Sequence, residues 1–141
     1  MLLCDQENIT DLLHAAYVVA CEEQNPGLVN RTIAAVSGEI GDALAYRYPQ
    51  PWPQVPELVR YIAAVISAYR VVKAITTLVD SEASTDNEWL PLQKQWKYCT
   101  DLLASIAAGK TKLPLAEANP DREEASVAVV SGSPFFDLRG L

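Results

Sequence analysis

Apolar residues recur at helical spacing in four stretches of this 141-residue chain. The clearest stretch runs from Leu28 to about Tyr46, and its apolar positions are Val29, Ile33, Val36, Ile40 and Leu44. A single stripe at intervals of three and four residues is typical of an amphipathic helix with one buried face. The same stretch is rich in small residues, Gly38 and Gly41 among them, which would let another backbone approach closely.

A first helix is predicted before that stretch, from Ile9 to Cys21, with Asn8 or Thr10 as its N-cap. Asn25-Pro26-Gly27 ends it, because proline and glycine together mark a turn.

The third and fourth helices follow a proline-rich break. The third begins with Pro56 at its first position and is the most apolar, which predicts the central helix of a bundle. Ser67 is among the residues predicted to lie off its apolar side. The fourth begins at a capping box formed by Thr85 and Glu88, and Gly109 is predicted to stop it.

The break itself, residues 46–56, cannot be helical. Prolines at positions 49, 51, 53 and 56 restrict φ and favour extended conformations in the residues before them. We therefore expect a stiff elbow that sets the offset between two helices. The elbow carries Tyr48 and Trp52, which either pack in the core or contact a neighbouring subunit.

The C-terminal third changes character after the fourth helix. Residues 113–124 are acidic and contain two prolines, which is typical of a linker. Residues 125–141 combine β-prone valines with the only two phenylalanines, Phe135 and Phe136. The predicted organisation is a helical domain at 1–112, a linker at 113–124 and an extended or β-prone C-terminal arm at 125–141 that becomes ordered on a partner.

Net charge limits the class of partner. The chain carries a formal charge of −7 and a pI near 4.6, which disfavours nucleic-acid binding through a basic face. The acidic excess lies mainly in residues 1–50, where seven acids face two bases. Such a surface could still line a passage for DNA. No signal peptide and no membrane span is predicted, so a cytoplasm-like compartment is expected.

Candidate chemistry is sparse. Cys4, Cys21 and Cys99 lack the spacing of a zinc site or a disulfide framework, and buried thiols are the simpler interpretation. His14 is the only histidine and has no nearby nucleophile, so it is interpreted as a helix surface or packing residue. The pair Glu22-Glu23 is interpreted as solvated charge. We expect no catalytic residue, no metal and no cofactor, and therefore no enzyme.

The fourth helix offers an alternative function. Trp89 and Trp96 lie on its apolar stripe, where core packing is the favoured interpretation and a ligand groove the rival one. If the stripe were exposed, the protein could be a cytoplasmic helical regulator that binds one partner through this face. A small-molecule hydrolase would need a pocket with convergent polar groups, which the sequence does not indicate.

Several segments together resemble the phage Mu-like gp36 family of small virion proteins. They occur in order over residues 28–141: a helix running into Arg47-Tyr48-Pro49, the start Val55-Pro56-Glu57-Leu58, the helix stop Ala107-Ala108-Gly109-Lys110, and the tail from Ser131 to Leu141. The segment before Gly27 is only loosely similar. Around Phe135-Phe136-Asp137, the tail is less basic than in the relatives.

The resemblance implies an all-α, four-helix bundle-like subunit related in fold to the head-tail connector (adaptor, head-completion) proteins of tailed phages. Twelve copies would form a ring beneath the portal protein, join the DNA-filled head to a tail protein, and let DNA pass without specific binding. The expected location is the virion, after assembly in the host cytoplasm. Phe135, Phe136 and Arg139 are the expected anchors of the arm in a partner subunit.

Overall fold

The computed structural model describes residues 1–75 and 90–118, and these form a helical bundle. Its helices are α1 (Gln6–Leu12), α2 (Ala15–Gln24), α3 (Leu28–Leu44), α4 (Glu57–Ile75) and α5 (Leu90–Ala107). The described residues contain no strand, so the predicted all-α, four-helix bundle-like class is confirmed. The capping box at Thr85 and the C-terminal arm lie outside these residues.

Helix α4 is the centre of the bundle, as its composition predicts. It packs against α1, α2, α3 and α5. Consequently its side chains are buried around most of the circumference rather than along one stripe. Ser67, predicted to lie off the apolar side, is fully buried. That expectation was wrong because contacts with four helices leave α4 only a narrow exposed face, which includes Arg70 and Lys73 but not Ser67.

Helix α3 has the predicted single buried face. All five positions of its apolar stripe are buried. On its flank, Glu39 accepts two hydrogen bonds from Arg70 of α4, at 2.6 and 2.8 Å. Both side chains are largely exposed, so this bidentate pair contributes at most about 1 kcal/mol to stability. Helix α3 ends at Leu44, two residues before the predicted end.

The N-terminal region forms two helices, so the prediction of one helix from Ile9 to Cys21 was wrong. The chain is extended at Leu13 (ψ 144°) and His14 (ψ 137°). Leu13 is buried there, and His14 Nδ1 accepts a hydrogen bond from the Ala16 N–H at 3.1 Å, capping α2. The N-cap of α1 is Asp5 in a capping box with Asn8, rather than Asn8 or Thr10.

A carboxylate on α2 caps α3, which corrects the interpretation of Glu22 as solvated charge. Its Oε1 and Oε2 accept hydrogen bonds from the backbone N–H groups of Gly27 and Val29, both at 2.9 Å. These two bonds hold the pKa of Glu22 below its ordinary range. Gly27 has a φ of 82°, a conformation that glycine adopts without strain. The hydrogen bonds of Glu22 and the backbone conformation of Gly27 therefore both stabilise the connection between α2 and α3.

Helix α5 ends at the predicted glycine. Gly109 has a φ of 87°, its N–H donates to Ile106, and the Lys110 N–H donates to Ser105. This is a Schellman motif, which satisfies the last carbonyls of the helix. On the apolar stripe, Trp96 is half-buried and stacks on Tyr69 with ring centroids 4.5 Å apart. The packing interpretation therefore holds for Trp96, whereas Trp89 lies outside the described residues.

Candidate protein interface

Two aromatic residues of the elbow between α3 and α4, Tyr48 and Trp52, lie in the core. Tyr48 is 0% exposed and Trp52 is 6% exposed. The indole N–H of Trp52 donates to the Tyr48 carbonyl at 2.9 Å, and the peptide between Gln50 and Pro51 is cis. Of the two alternatives for these aromatic residues, the structure shows the core. Their side chains stabilise the elbow within the subunit.

The Tyr48 hydroxyl joins the elbow to the chain that follows α5. It accepts a hydrogen bond from the Leu113 N–H at 3.1 Å and lies 3.2 Å from Glu117 Oε2, to which it donates. Leu113 is itself 6% exposed. One buried hydroxyl thus satisfies a backbone donor and a carboxylate that are 65 and 69 residues away in sequence.

Arg47 makes the second link between the same segments. Its side chain is only 6% exposed, so its charge needs partners. Nη1 lies 3.4 Å from Glu117 Oε1, and Nη2 lies 3.4 Å from the Ala108 carbonyl at the end of α5. The backbone carbonyl of Arg47 accepts from the Ala118 N–H at 2.9 Å. The side chain and backbone of one residue therefore hold both the end of α5 and residues 117–118.

Gly109 makes room for that guanidinium. A Cβ built on Gly109 would lie 2.5 Å from Arg47 Cζ and 2.6 Å from Nη2. Glycine is therefore needed at this position for two reasons: the backbone has a positive φ, and a side chain would block the close approach of Arg47. The structure brings together two segments on which the family resemblance rests, Arg47-Tyr48-Pro49 and Gly109-Lys110.

Glu117 is the shared acceptor of this cluster. Lys112 Nζ lies 3.1 Å from its Oε2 and, with Tyr48 and Arg47, holds the pKa of Glu117 below its ordinary range. The first part of the predicted linker, residues 113–118, thus lies against the helical domain. The described chain ends at Ala118, at a fixed point beside the elbow; the remainder of the predicted linker and arm lies outside the described residues.

A groove runs along the exposed side of α3 and ends at the elbow. We call it the α3 groove. It has a volume of about 450 Å³ and is lined by Met1, Leu2, Ala34, Ser37, Gly38, Gly41, Asp42, Ala45 and Gln50. A hydrogen bond of 2.9 Å from the Leu3 N–H to Ser37 Oγ fixes the N-terminal wall, and Gln50 forms the other wall over Gly41. Apart from its chain neighbours and the adjacent backbone of α3, no atom of the described residues lies within 4 Å of a Cβ built on Gly38.

Other surfaces carry less organised features. A smaller hollow of about 190 Å³ between α1 and α4 is lined by charged as well as apolar residues, including Glu57 and Arg60. Tyr98 is 60% exposed on α5.

Within residues 1–75 and 90–118, no group of three or more His, Cys, Asp and Glu side chains could hold a metal ion. No helix in that part of the chain has the length and apolarity needed to cross a membrane.

The three cysteines are buried and free, as predicted. Burial raises the pKa of the Cys99 thiol to about 11. Cys4 and Cys21 also have raised pKa values because of burial. The thiols are therefore packing groups rather than nucleophiles at neutral pH.

The five residues predicted as an interface fall in two places. Tyr48 and Trp52 are buried in the elbow, and Phe135, Phe136 and Arg139 lie outside the described residues. Sequence reasoning missed the cluster of Arg47, Gly109 and Glu117. Its only signal was the presence of two of its members in the segments that resemble the family.

A comparison with protein families agrees with the resemblance. The model of the family described as Bacteriophage Mu, Gp36 matches residues 3–131, so the chain belongs to this family and is a bacteriophage protein. The match includes the two N-terminal helices, where the resemblance was loose, and ends before Phe135. No curated protein matches the chain.

Proposed function

We propose that this member of the Mu gp36 family is a structural virion protein, a connector that assembles as a ring beneath the portal and joins the DNA-filled head to the tail. The observation that carries the proposal is the anchored exit of the C-terminal segment. Residues 113–118 are held by Tyr48 and Arg47, so the residues that follow them start from a fixed point on the helical domain. A subunit with a rigid body and a defined exit point can place an arm on a neighbour reproducibly.

Ring geometry makes a second demand that this subunit meets. A closed ring of identical copies needs two different, complementary surfaces on each subunit. The exposed α3 groove and the outgoing C-terminal segment are two such features, and both lie at the elbow end of the bundle. We propose twelve copies, the number that the family resemblance implies, with the portal and a tail protein as the other partners.

Charge supports a passage for DNA. The chain has a net charge of −7, and α1 together with its cap exposes Asp5, Glu7 and Asp11. Like charge on the channel side would prevent adhesion of the duplex during ejection. In this proposal the protein acts by assembly and performs no catalysis. Phe135, Phe136 and Arg139 anchor the arm in a partner subunit.

Removal of residues 125–141 tests the proposal. A phage that lacks its own copy of the gene is supplied with either the full-length or the truncated protein, and its particles are examined by electron microscopy. We expect filled heads without tails from the truncated protein and complete virions from the full-length protein. A second variant, Phe135→Ser with Phe136→Ser, keeps the chain length and should give the same defect.

Circular dichroism of the purified proteins serves as the folding control. The contacts that hold residues 113–118 involve none of the removed residues, so helical content should be unchanged. Complete virions formed by a truncated protein that remains helical would contradict the proposed role of the arm.

A further inference from the structure

We propose that the α3 groove binds about five residues from the uncharged part of the C-terminal arm, residues 125–136, of a neighbouring copy of this chain. This inference rests on the ring in the proposed function and deepens it by naming the surface that receives the arm. It concerns the contact between copies, not the contacts with the portal or the tail.

The groove has the dimensions of an extended segment. From Ala34 to Ala45 it follows eleven residues of helix, a length of about 17 Å at 1.5 Å per residue. A strand covers that length with about five residues. Because Gly38 carries no side chain and has open space beside it, a bound backbone can approach the helix closely at this point of the floor, whereas the Gln50 side chain covers Gly41. The Gln50 side chain offers both a donor and an acceptor for that backbone at the wall.

The chemistry of the two parts also matches. Residues 125–136 contain no charged side chain, and among the described residues that line the groove only Asp42 has a charged side chain, besides the amino group of Met1. Met1 and Leu2 form an apolar wall that is 54% and 63% exposed in the described chain. Covering them with valine side chains would stabilise the complex by roughly 25 cal/mol for each Å² of apolar surface buried.

The point of exit determines which copy is reached. The Ala118 N–H donates to the Arg47 carbonyl. Arg47 lies two residues after Ala45 and three before Gln50, and both of these residues line the groove. The described chain therefore ends near the elbow end of its own groove. Residues 119–124 then separate this point from the arm, and six extended residues span about 20 Å. That distance equals about two helix diameters, enough to cross to an adjacent subunit. An arm bound to the next groove links copies head to tail, whereas an arm bound to its own groove would close no ring.

Disulfide trapping tests the contact in assembled particles. Two full-length variants, Gly38→Cys and Val129→Cys, are supplied together to a phage that lacks its own copy. Particles are then purified and resolved on a non-reducing gel. Gly38→Cys should be tolerated because nothing in the described residues lies within 4 Å of its Cβ, and the native cysteines are buried. The control pair replaces Gly38→Cys with Ala43→Cys, an exposed position on the same helix outside the groove.

We expect cross-linked dimers from the Gly38→Cys pair at about tenfold the level of the Ala43→Cys pair, since a bound arm raises the local thiol concentration. A chain that carries both Gly38→Cys and Val129→Cys should give a ladder of linked copies. Equal cross-linking in the two pairs would overturn the inference. So would a doubly substituted chain that forms only an intramolecular disulfide.

A blocking substitution gives a second, independent readout. Gly38→Leu should fill the groove floor and abolish joining of heads to tails without lowering the melting temperature, because leucine favours a helix more than glycine does; Ala43→Leu should join normally. If Gly38→Leu still joined heads to tails, the groove would be excluded as the binding site of the arm, and the proposed connector function would be unaffected. Particles made with the wild-type protein that contain none of it would instead contradict the proposed function, and with it the ring on which the inference rests.

Discussion

Substitution of alanine for glycine should have opposite effects at two positions of this chain. At Gly109 the positive φ costs an L-residue roughly 1–2 kcal/mol. The new Cβ would also lie 2.5 Å from Arg47 Cζ, so the guanidinium must leave its partners Glu117 and Ala108. Those contacts are long, at 3.4 Å, so we take the lower end of the range for a charged hydrogen bond, about 1.5 kcal/mol.

The sum predicts that Gly109→Ala lowers the free energy of unfolding by roughly 3 kcal/mol. For a domain of this size that corresponds to a fall in melting temperature of about 10 °C. Gly38→Ala is the matched control. Gly38 is helical with open space around its Cβ, so alanine should stabilise the protein by about 0.5–1 kcal/mol.

Urea denaturation of the full-length protein, followed by circular dichroism, measures both values. A background of Arg47→Ala separates the two causes, because there the alanine at position 109 has no guanidinium to displace. In that background Gly109→Ala should cost only the strain of the positive φ, about 1–2 kcal/mol. An equal cost of Gly109→Ala in the wild-type and Arg47→Ala backgrounds would refute the contribution of Arg47, and a change of less than about 0.5 kcal/mol in both would also refute the strain of the positive φ.

Three further predictions concern single side chains. Glu22→Gln should destabilise the protein by about 1 kcal/mol at neutral pH, and Glu23→Gln should not, because only Glu22 caps α3. The folded-state pKa of Glu22 is lowered, so its contribution is lost as the pH falls through that pKa, and wild type and Glu22→Gln should converge in acid melts. Tyr48→Phe should cost about 1–3 kcal/mol by leaving a buried backbone N–H without an acceptor, whereas the exposed Tyr98→Phe should be neutral in the same urea titration. Burial of Cys99 should keep it unreactive towards a thiol reagent at pH 8 until urea unfolds the chain, and a stoichiometric reaction in the native protein would contradict that burial.

The hydrophobic pattern predicted the parts of the fold that depend on one periodic face. The apolar stripe of α3 and the glycine stop of α5 follow from local sequence alone, because each is decided by residues within a few positions. The break at Leu13 and His14 could not be read in this way. No glycine or proline lies at this break. It is formed by a buried leucine in an extended conformation and by a histidine that caps α2.

The candidate interface depends on contacts between distant residues, which periodicity does not encode. Glu22 caps a helix from the preceding one, and Arg47 meets Glu117 across 70 residues. Single-sequence patterns indicated that the elbow is non-helical but could not say that Tyr48 and Trp52 are buried. Burial there is set by the return of residues 113–117 over Tyr48, which the sequence shows only as a proline-containing acidic stretch.

Electron-microscopic reconstruction of the head-tail junction, in particles from a phage with the full-length protein and from one without it, decides whether this protein forms a ring between head and tail. We expect a ring of identical helical subunits beneath the portal that is missing from the second sample. Tailed particles without this protein, or copies of it located away from the junction, would refute the proposed connector function.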